Sequence, residues 1–377
     1  MKLGILKESK SREARVALTP SIVKQLIKKG FSVAIESEAG VRSNFSDDLY
    51  KESGATIHND PKELLQASEV ILKVNAPTIQ EAQEMQKGSI CISLLYAYTQ
   101  PELLDIFKKR RISAFAMDAV PRISRAQKMD ALSSQANLAG YKSVLLGANA
   151  LGKIFPLMMT AAGTITPARV LIFGAGVAGL QAIATAKRLG ATVEVSDVRP
   201  ETKEQVESLG GRFLSVEGTE GVQTEGGYAR EVSAEFLDKQ KELIEKHIRE
   251  VDLVITTALV IGKKSPMLVT EDMVKSMKPG SVIVDMAVEW GGNCALSELD
   301  QTVVRHGVSI IGESNLPALL PTNASQLYAV NISTLLEHLS DENGFKWELE
   351  EEITKGALIT HQGDLIHEFT KSILSKS

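Results

Sequence analysis

Short apolar runs, each followed by a longer stretch with helical spacing, recur along this chain. Leu3–Leu6, Phe31–Ile35, Val70–Val74, Ile90–Leu95 and Ala114–Met117 have the composition of buried strands. Between them lie helical stretches such as Pro101–Lys109, and one that opens at Thr19-Pro20, an N-cap and first-turn pair. Repeated strand–helix units predict a mostly parallel sheet covered by helices. A long, small-residue-rich helix follows at about Ala131–Leu151, and strands resume with Val170–Phe173, Val251–Thr256, Ser281–Ala287 and Val308–Ile311. A second long helix, Ala324–Leu339, carries the chain back to the first half, which Ala357–Thr360 and the amphipathic Leu365–Leu374 complete. The predicted fold is therefore α/β, with two lobes joined by two long helices and a cleft between them. The lobes are residues 1–135 with 323–377, and residues 136–322.

One stretch of the second lobe carries chemistry. Ala168–Arg199 reads as a strand, a glycine-rich turn, a helix and a second strand ending in an acid. Gly174, Gly176 and Gly179 form G-x-G-x-x-G. The first glycine allows the tight turn, the second lets a pyrophosphate approach the backbone, and the third lets helix pack closely on strand. The N–H groups that open the following helix favour an anion. Asp197 lies 23 residues after Gly174, where a carboxylate can accept hydrogen bonds from both adenosine ribose hydroxyls and repel a 2′-phosphate. An arginine such as Arg199 also suits a 2′-phosphate, but Asp197, at the ribose-facing strand end, decides for NAD(H). Both lobes are Rossmann-like, the first lacking the phosphate turn.

Composition narrows the field. Of 377 residues, 44% are hydrophobic and 24% charged, which is ordinary for two globular cores. The net charge of −5 argues against a nucleic-acid partner. Ser143–Ile165 is the nearest thing to a membrane span, but Lys153, Pro156 and several glycines break it, and it reads as a buried helix followed by a loop. No direct membrane insertion is expected. The start, MKLGILKESK, lacks a signal peptide's apolar core, so a soluble intracellular protein is expected. Cys91 and Cys294 are too few for a disulfide framework or a cysteine zinc set; two buried reduced thiols and no metal are expected. The segment from about 217 to 230 contains Gly218, Gly221, Gly226 and Gly227 and no periodicity, which reads as a mobile loop or a disordered insertion, with Tyr228 its one aromatic residue.

Pro121–Tyr141, PRISRAQKMDALSSQANLAGY, holds the remaining candidates. Arg122, Gln127 and Asp130 precede the long helix, which Asp130 is placed to cap. An arginine and a carboxylate across such a loop can pair and stiffen it, while a glutamine offers an amide without charge and Ser133 a hydroxyl. A solvated loop with an incidental salt bridge is the plainer alternative. This string closely resembles the NAD(H)-binding domain of proton-translocating nicotinamide nucleotide transhydrogenase. The likeness extends over the whole chain through KESKSREARVALTP, VAGLQAIATAKRLGA, ITTALVIGK, VIVDMAVEWGGNC and NLPALLPTNASQLY. It implies that Arg122, Gln127, Asp130 and Ser133, with Ile123, Ser124, Lys128 and Met129, position the dihydronicotinamide. It further implies nucleotide contacts from Val177, Asp197, Val198, Arg199, Gln240 and Leu259, and closure over the nucleotide by Gly227 and Tyr228. It implies a peripheral homodimer on the cytoplasmic side of the membrane, attached through an NADP(H)-binding subunit and a membrane-spanning subunit that couples hydride transfer to proton movement.

The same fold and opening motif occur in alanine dehydrogenase. Arg15 and Lys73 match positions that bind the amino acid's carboxylate there, and Glu289 stands where that family has a catalytic aspartate. That family also needs a histidine on the strand matching Ile90–Tyr96 as general acid and base. Here it reads ICISLLY, and the six histidines (58, 247, 306, 338, 361, 367) lie elsewhere. A non-catalytic NAD sensor is a third reading, disfavoured because a sensor has no need to aim the nicotinamide.

Overall fold

The computed structural model describes residues 1–215, 224–225, 228–229, 234–260 and 262–375. The chain divides into two compact units, Met1–Gln135 with Ala318–Ser377, and Ala136–Pro317.

Among the described residues, the first unit is built on an eight-stranded sheet. Its order is Asp364–Leu365, Leu358–His361, Ser113–Ala116, Ile90–Leu94, Val70–Asn75, Lys2–Ile5, Ser32–Glu36, Thr56–His58. The six strands from Ser113–Ala116 to Thr56–His58 pair in parallel, and the C-terminal hairpin adds antiparallel to one edge. The central strands are buried on both faces and mostly apolar, as a sheet covered on both sides requires. The helix Pro321–His338 lies within this unit: Tyr328, Ala329, Ile332, Leu335 and Leu336 are buried in its core. The stretch read as a link between lobes is thus a core helix of the first. The tail read as one amphipathic segment divides into a strand at Asp364–Leu365 and a helix at Glu368–Leu374.

Among the described residues, the second unit has a seven-stranded sheet in the order Arg212–Phe213, Thr192–Ser196, Arg169–Phe173, Leu253–Thr256, Val282–Asp285, Val308–Ile311, Thr302–Arg305. Only the last strand, an exposed edge absent from the sequence reading, runs antiparallel. Strand order reverses at Arg169–Phe173: the next strand pairs on one side of it and Leu253–Thr256 on the other. That reversal opens a crevice at the carboxyl ends of the strands, where ligands of open α/β sheets bind.

The helix Ala131–Ala150 starts in the first unit and ends in the second. Its small residues have a local cause. A Cβ at Gly140 would fall on the carbonyl oxygen of Ala178, and one at Gly147 on the side chain of Leu253 at 2.6 Å. Beyond it the expected loop is a hairpin, Met158–Thr160 with Gly163–Ile165, all six residues exposed. No helix among the described residues is long and apolar enough to cross a membrane. Both cysteines are free and buried.

Gly140→Ala tests the helix crossing. Overpacking of this kind costs about 1–3 kcal/mol, so urea unfolding should show a lower midpoint with an unchanged slope; an unchanged midpoint would mean that the crossing is loose.

Candidate functional site

The residues singled out from the sequence fall into two groups, one on each unit. In the second unit, the glycine turn leaves Arg169–Phe173 at the point where strand order reverses. Gly174 has φ +96°, a conformation that L side chains rarely adopt. A Cβ at Gly179 would collide with the carbonyl oxygen of Gly174, so the helix Val177–Arg188 can pack this closely only on glycine. At Gly176 the nearest atom to a would-be Cβ is Arg199 Nη2, at 4.0 Å, so the backbone there is open to approach. Gly176 is the N-cap and Val177 the first helical residue, which turns the helix's opening N–H groups towards this gap. The three glycines thus do three separate jobs, and together they fit the pyrophosphate of a dinucleotide.

Asp197 follows the strand Thr192–Ser196 and is 8% exposed. Its Oδ2 accepts from the Ala175 N–H at 2.6 Å, tying the acid to the turn. Arg199 grips the same carboxylate through Nε at 2.9 Å and Nη2 at 2.7 Å, and its own N–H donates to Oδ1 at 2.8 Å. The arginine read as a possible phosphate ligand is therefore Asp197's partner. Val198 stands between them. Gln240 is buried and donates to Ser196 Oγ at 3.1 Å, beneath the end of the same strand. Leu259 is 41% exposed, just past the strand Leu253–Thr256. Gly227 lies outside the described residues. Tyr228 is described only as backbone, pairing antiparallel with Glu225.

In the first unit, Ser124–Met129 forms a 3₁₀ turn, in which every third residue shares a face. Ala126 and Met129 are buried in the core, with Ile123 packed against it. Arg122, Ser124, Gln127 and Lys128 are exposed. Arg125 bonds Glu351 and Glu352, each at 3.3 Å, and the Lys128 carbonyl accepts from Asn331 at 2.8 Å. Asp130 caps the long helix, accepting from Ser133 N at 2.8 Å and Ser133 Oγ at 2.6 Å. Asp130 and Ser133 are thus bonded to each other at the start of the helix. Arg122, Ser124, Gln127 and Asp130 line a hollow of about 260 Å³, and the Gln127 side chain is exposed there.

Residues 4–139 match the family described as Alanine dehydrogenase/PNT, N-terminal domain, and residues 143–368 match its C-terminal domain. The chain belongs to the alanine dehydrogenase/PNT family. It is 48% identical over 376 residues to the first part of NAD(P) transhydrogenase subunit alpha from Rhodospirillum rubrum, covering 97% of this chain and 98% of that one. It is 32% identical over 348 residues to alanine dehydrogenase of Bacillus subtilis, covering 88% and 86%. Among solved structures, a transhydrogenase from Sinorhizobium meliloti superposes with a TM-score of 0.89 at 42% identity, covering 97% of this chain and 100% of that one. An L-alanine dehydrogenase superposes at 0.82 with 29% identity, covering 100% and 99%.

The family has two branches here, and the first unit bears on the choice. Its sheet also reverses order, at Lys2–Ile5, flanked by Ser32–Glu36 and Val70–Asn75. The segment after Lys2–Ile5 carries Glu8, Glu13 and Arg15 in place of a glycine turn. Arg15 is 6% exposed and donates to Glu13 at 2.8 and 2.6 Å and to Gln135 Oε1 at 2.9 Å. Lys73 is 1% exposed, 3.0 Å from Glu81 and 4.0 Å from Glu8. Burial alone would raise the Glu13 carboxyl; the charge of Arg15 and hydrogen bonds from Arg15 and Asn75 outweigh it and hold the group at about 2. Burial would lower Lys73, but Glu8 and Glu81 outweigh that and raise it. Both cations that match carboxylate-binding positions are thus bonded to this chain's own carboxylates. The strand Ile90–Leu94 carries no histidine, and Glu289 sits in the short turn Val288–Trp290. Among the described residues no cluster suited to a metal ion is present.

Sequence reasoning passed over Asp285, Asn293 and Thr257, although the pair Gly291-Gly292, six residues after Asp285, marked a backbone able to fold back on itself.

Glu13→Gln should cost about 3–5 kcal/mol at neutral pH, because it leaves the Arg15 charge buried with its main partner gone. Glu13's folded value lies below its ordinary 4.5, so its contribution is full above that pH and is lost as pH falls towards 2. Denaturant unfolding from pH 7 down should therefore show wild type and variant converging below 4.5; a gap independent of pH would refute the assignment.

Proposed function

We propose that this chain is the NAD(H)-binding subunit of a proton-translocating NAD(P) transhydrogenase. The observation that carries this reading is the glycine turn at the reversal of strand order, with Asp197 bonded to its second residue. Gly174, Gly176 and Gly179 admit the pyrophosphate, and Val177 with its helix N-terminus bonds it. Asp197 takes the adenosine ribose, its hydroxyls replacing part of the Arg199 grip, with Val198, Gln240 and Leu259 bordering the same site. The dinucleotide, when bound, supplies a hydride at C4 of its dihydronicotinamide. Passing it to NADP⁺ on a partner subunit moves no proton, so this chain needs no general acid or base. Its task is to hold one ring at near-attack distance, about 3–3.5 Å, from the other and to exclude water. Gln127, on the anchored 3₁₀ turn with Ser124 and Lys128, and Arg122 just before that turn orient the carboxamide.

The names of the relatives as subunit alpha, or as its first part, support membership of a multi-subunit complex. We place the NADP(H) site, the membrane anchor and the coupling to proton movement on partner subunits, with this chain attached peripherally on the cytoplasmic side. A homodimer is part of the proposal; the exposed apolar hairpin bearing Met158, Met159 and Ile165 supports it, since a lone two-stranded ribbon is marginal in water. Alanine dehydrogenase is the second reading, favoured only by the retention of Arg15 and Lys73.

Two mixtures separate the readings. With the NADP(H)-binding subunit and an NADP⁺ analogue, the chain should oxidise NADH; with pyruvate and ammonia alone it should not. Turnover in the second mixture would sink the proposal. Gln127→Asn should slow hydride transfer by about tenfold to a hundredfold while NADH affinity, titrated by fluorescence, stays within about twofold. Equal loss in both would remove the positioning role.

A further inference from the structure

A buried carboxylate in the second unit organises the wall of the nucleotide crevice without reaching its surface. Asp285 ends the strand Val282–Asp285 and is wholly buried. Its Oδ1 accepts from Thr256 Oγ1 and from the Ala287 N–H, both at 3.0 Å. Its Oδ2 accepts from the N–H groups of Asn293 and Cys294, at 2.9 and 3.0 Å, and from Ser297 Oγ at 2.7 Å. Gly291 and Gly292, at φ +94° and +75°, let the chain fold back so that two successive amides meet the carboxylate. A Cβ at Gly292 would stand 2.9 Å from Asp285 Oδ2.

The fold-back places the Asn293 side chain against a neighbouring segment. Its Oδ1 accepts from the Ala258 N–H at 3.1 Å, and its Nδ2 donates to the carbonyls of Ala258 at 2.9 Å and Pro266 at 2.8 Å. The side-chain amide takes both polar groups of one residue, as a neighbouring strand would. Between these two anchors, Thr257 Oγ1 donates to the Phe173 carbonyl at 2.9 Å, and a Cβ on Gly174 would strike that hydroxyl. Three consecutive residues are therefore pinned by three different partners: Thr256 by Asp285, Thr257 by the end of the glycine-turn strand, and Ala258 by Asn293.

We propose that Asp285 and Asn293 are positioning residues for the dinucleotide, holding Thr256–Leu259 against the glycine turn. This rests on the reading of that turn as the NAD(H) site. Neither side chain touches the nucleotide. They act through the Thr257 hydroxyl beneath Gly174 and through the backbone that delivers Leu259 to the crevice. A buried polar clamp suits this role because its hydrogen bonds have a single geometry, whereas apolar packing tolerates sliding. Removing Asn293 leaves three backbone groups unpaired, and the segment can recover them only by shifting towards water.

The test uses the full-length chain and NADH as probe. Asn293→Ala should weaken NADH binding at least tenfold by fluorescence titration, at a temperature where circular dichroism shows the native fold. In the ligand-free protein, hydrogen exchange of the peptide spanning 256–260 should quicken at least tenfold, with the sheet of residues 1–135 unchanged. An affinity within twofold of wild type, or unchanged exchange in that peptide, overturns the proposal. Should Asn293→Ala not fold, Thr257→Val, which keeps the shape and removes only the hydroxyl, takes its place in both measurements, and the same two results overturn the proposal. A wild-type chain that binds no NADH overturns the nucleotide-site reading and this role together, and it does so before any variant is made.

Discussion

The contact between the Gly179 backbone and the carbonyl of Gly174 sets the rest of the second unit. Because no Cβ intervenes, the helix Val177–Arg188 starts directly over the end of the strand Arg169–Phe173. Its opening N–H groups then face the crevice made by the reversal of strand order. Every other element there is adjusted to that approach. Asp197 bonds the turn from one side, Thr257 supports it from below, and Gly140 lets the long helix cross the same helix at Ala178. A methyl group at position 179 would open the stack and leave each of these neighbours without its partner.

The two units answer the same topological problem differently. Both sheets reverse strand order after their first strand, and both reversals create a polar opening at the carboxyl ends of the strands. In the second unit the opening is lined with glycine backbone and stays accessible. In the first it is filled by the acids Glu8, Glu13 and Glu81 around the cations Arg15 and Lys73, all buried except Glu81, which is partly exposed. Buried charges must be paired, since the cost of removing an ion from water exceeds what any single unmatched hydrogen bond returns. Cations already bonded to internal carboxylates have little left to offer a substrate's carboxylate. The strand Ile90–Leu94 beside them carries no histidine.

Much of this was legible along the chain because it is local. Glycine spacing, a strand followed by Asp197 and the N-cap at Asp130 are each written within a few residues, and the structure forms the tight turn, the bond from it to Asp197 and the helix cap. Partnerships were harder to read. Asp130 found Ser133, three residues on, and Asp197 found Arg199, two residues on, because near neighbours lose least entropy in pairing. Asn293 and Ala258, 35 residues apart, gave no sign of each other. Nor did Arg15 and Gln135, 120 residues apart.

The sequence by itself determined most of the elements, their order, and the glycine turn that leaves backbone open at Gly176, because apolar periodicity and the missing Cβ of glycine act within a turn or a strand. Tertiary structure alone decided how the polar side chains were spent. Several acids could have served Arg15 or Lys73, and several carbonyls Asn293. Only burial, which forbids an unpaired charge or amide and admits the partners within about 3 Å, selected among them. The glycine turn could be read from its own residues; the clamp that holds its neighbour in place exists only once two distant loops are buried together.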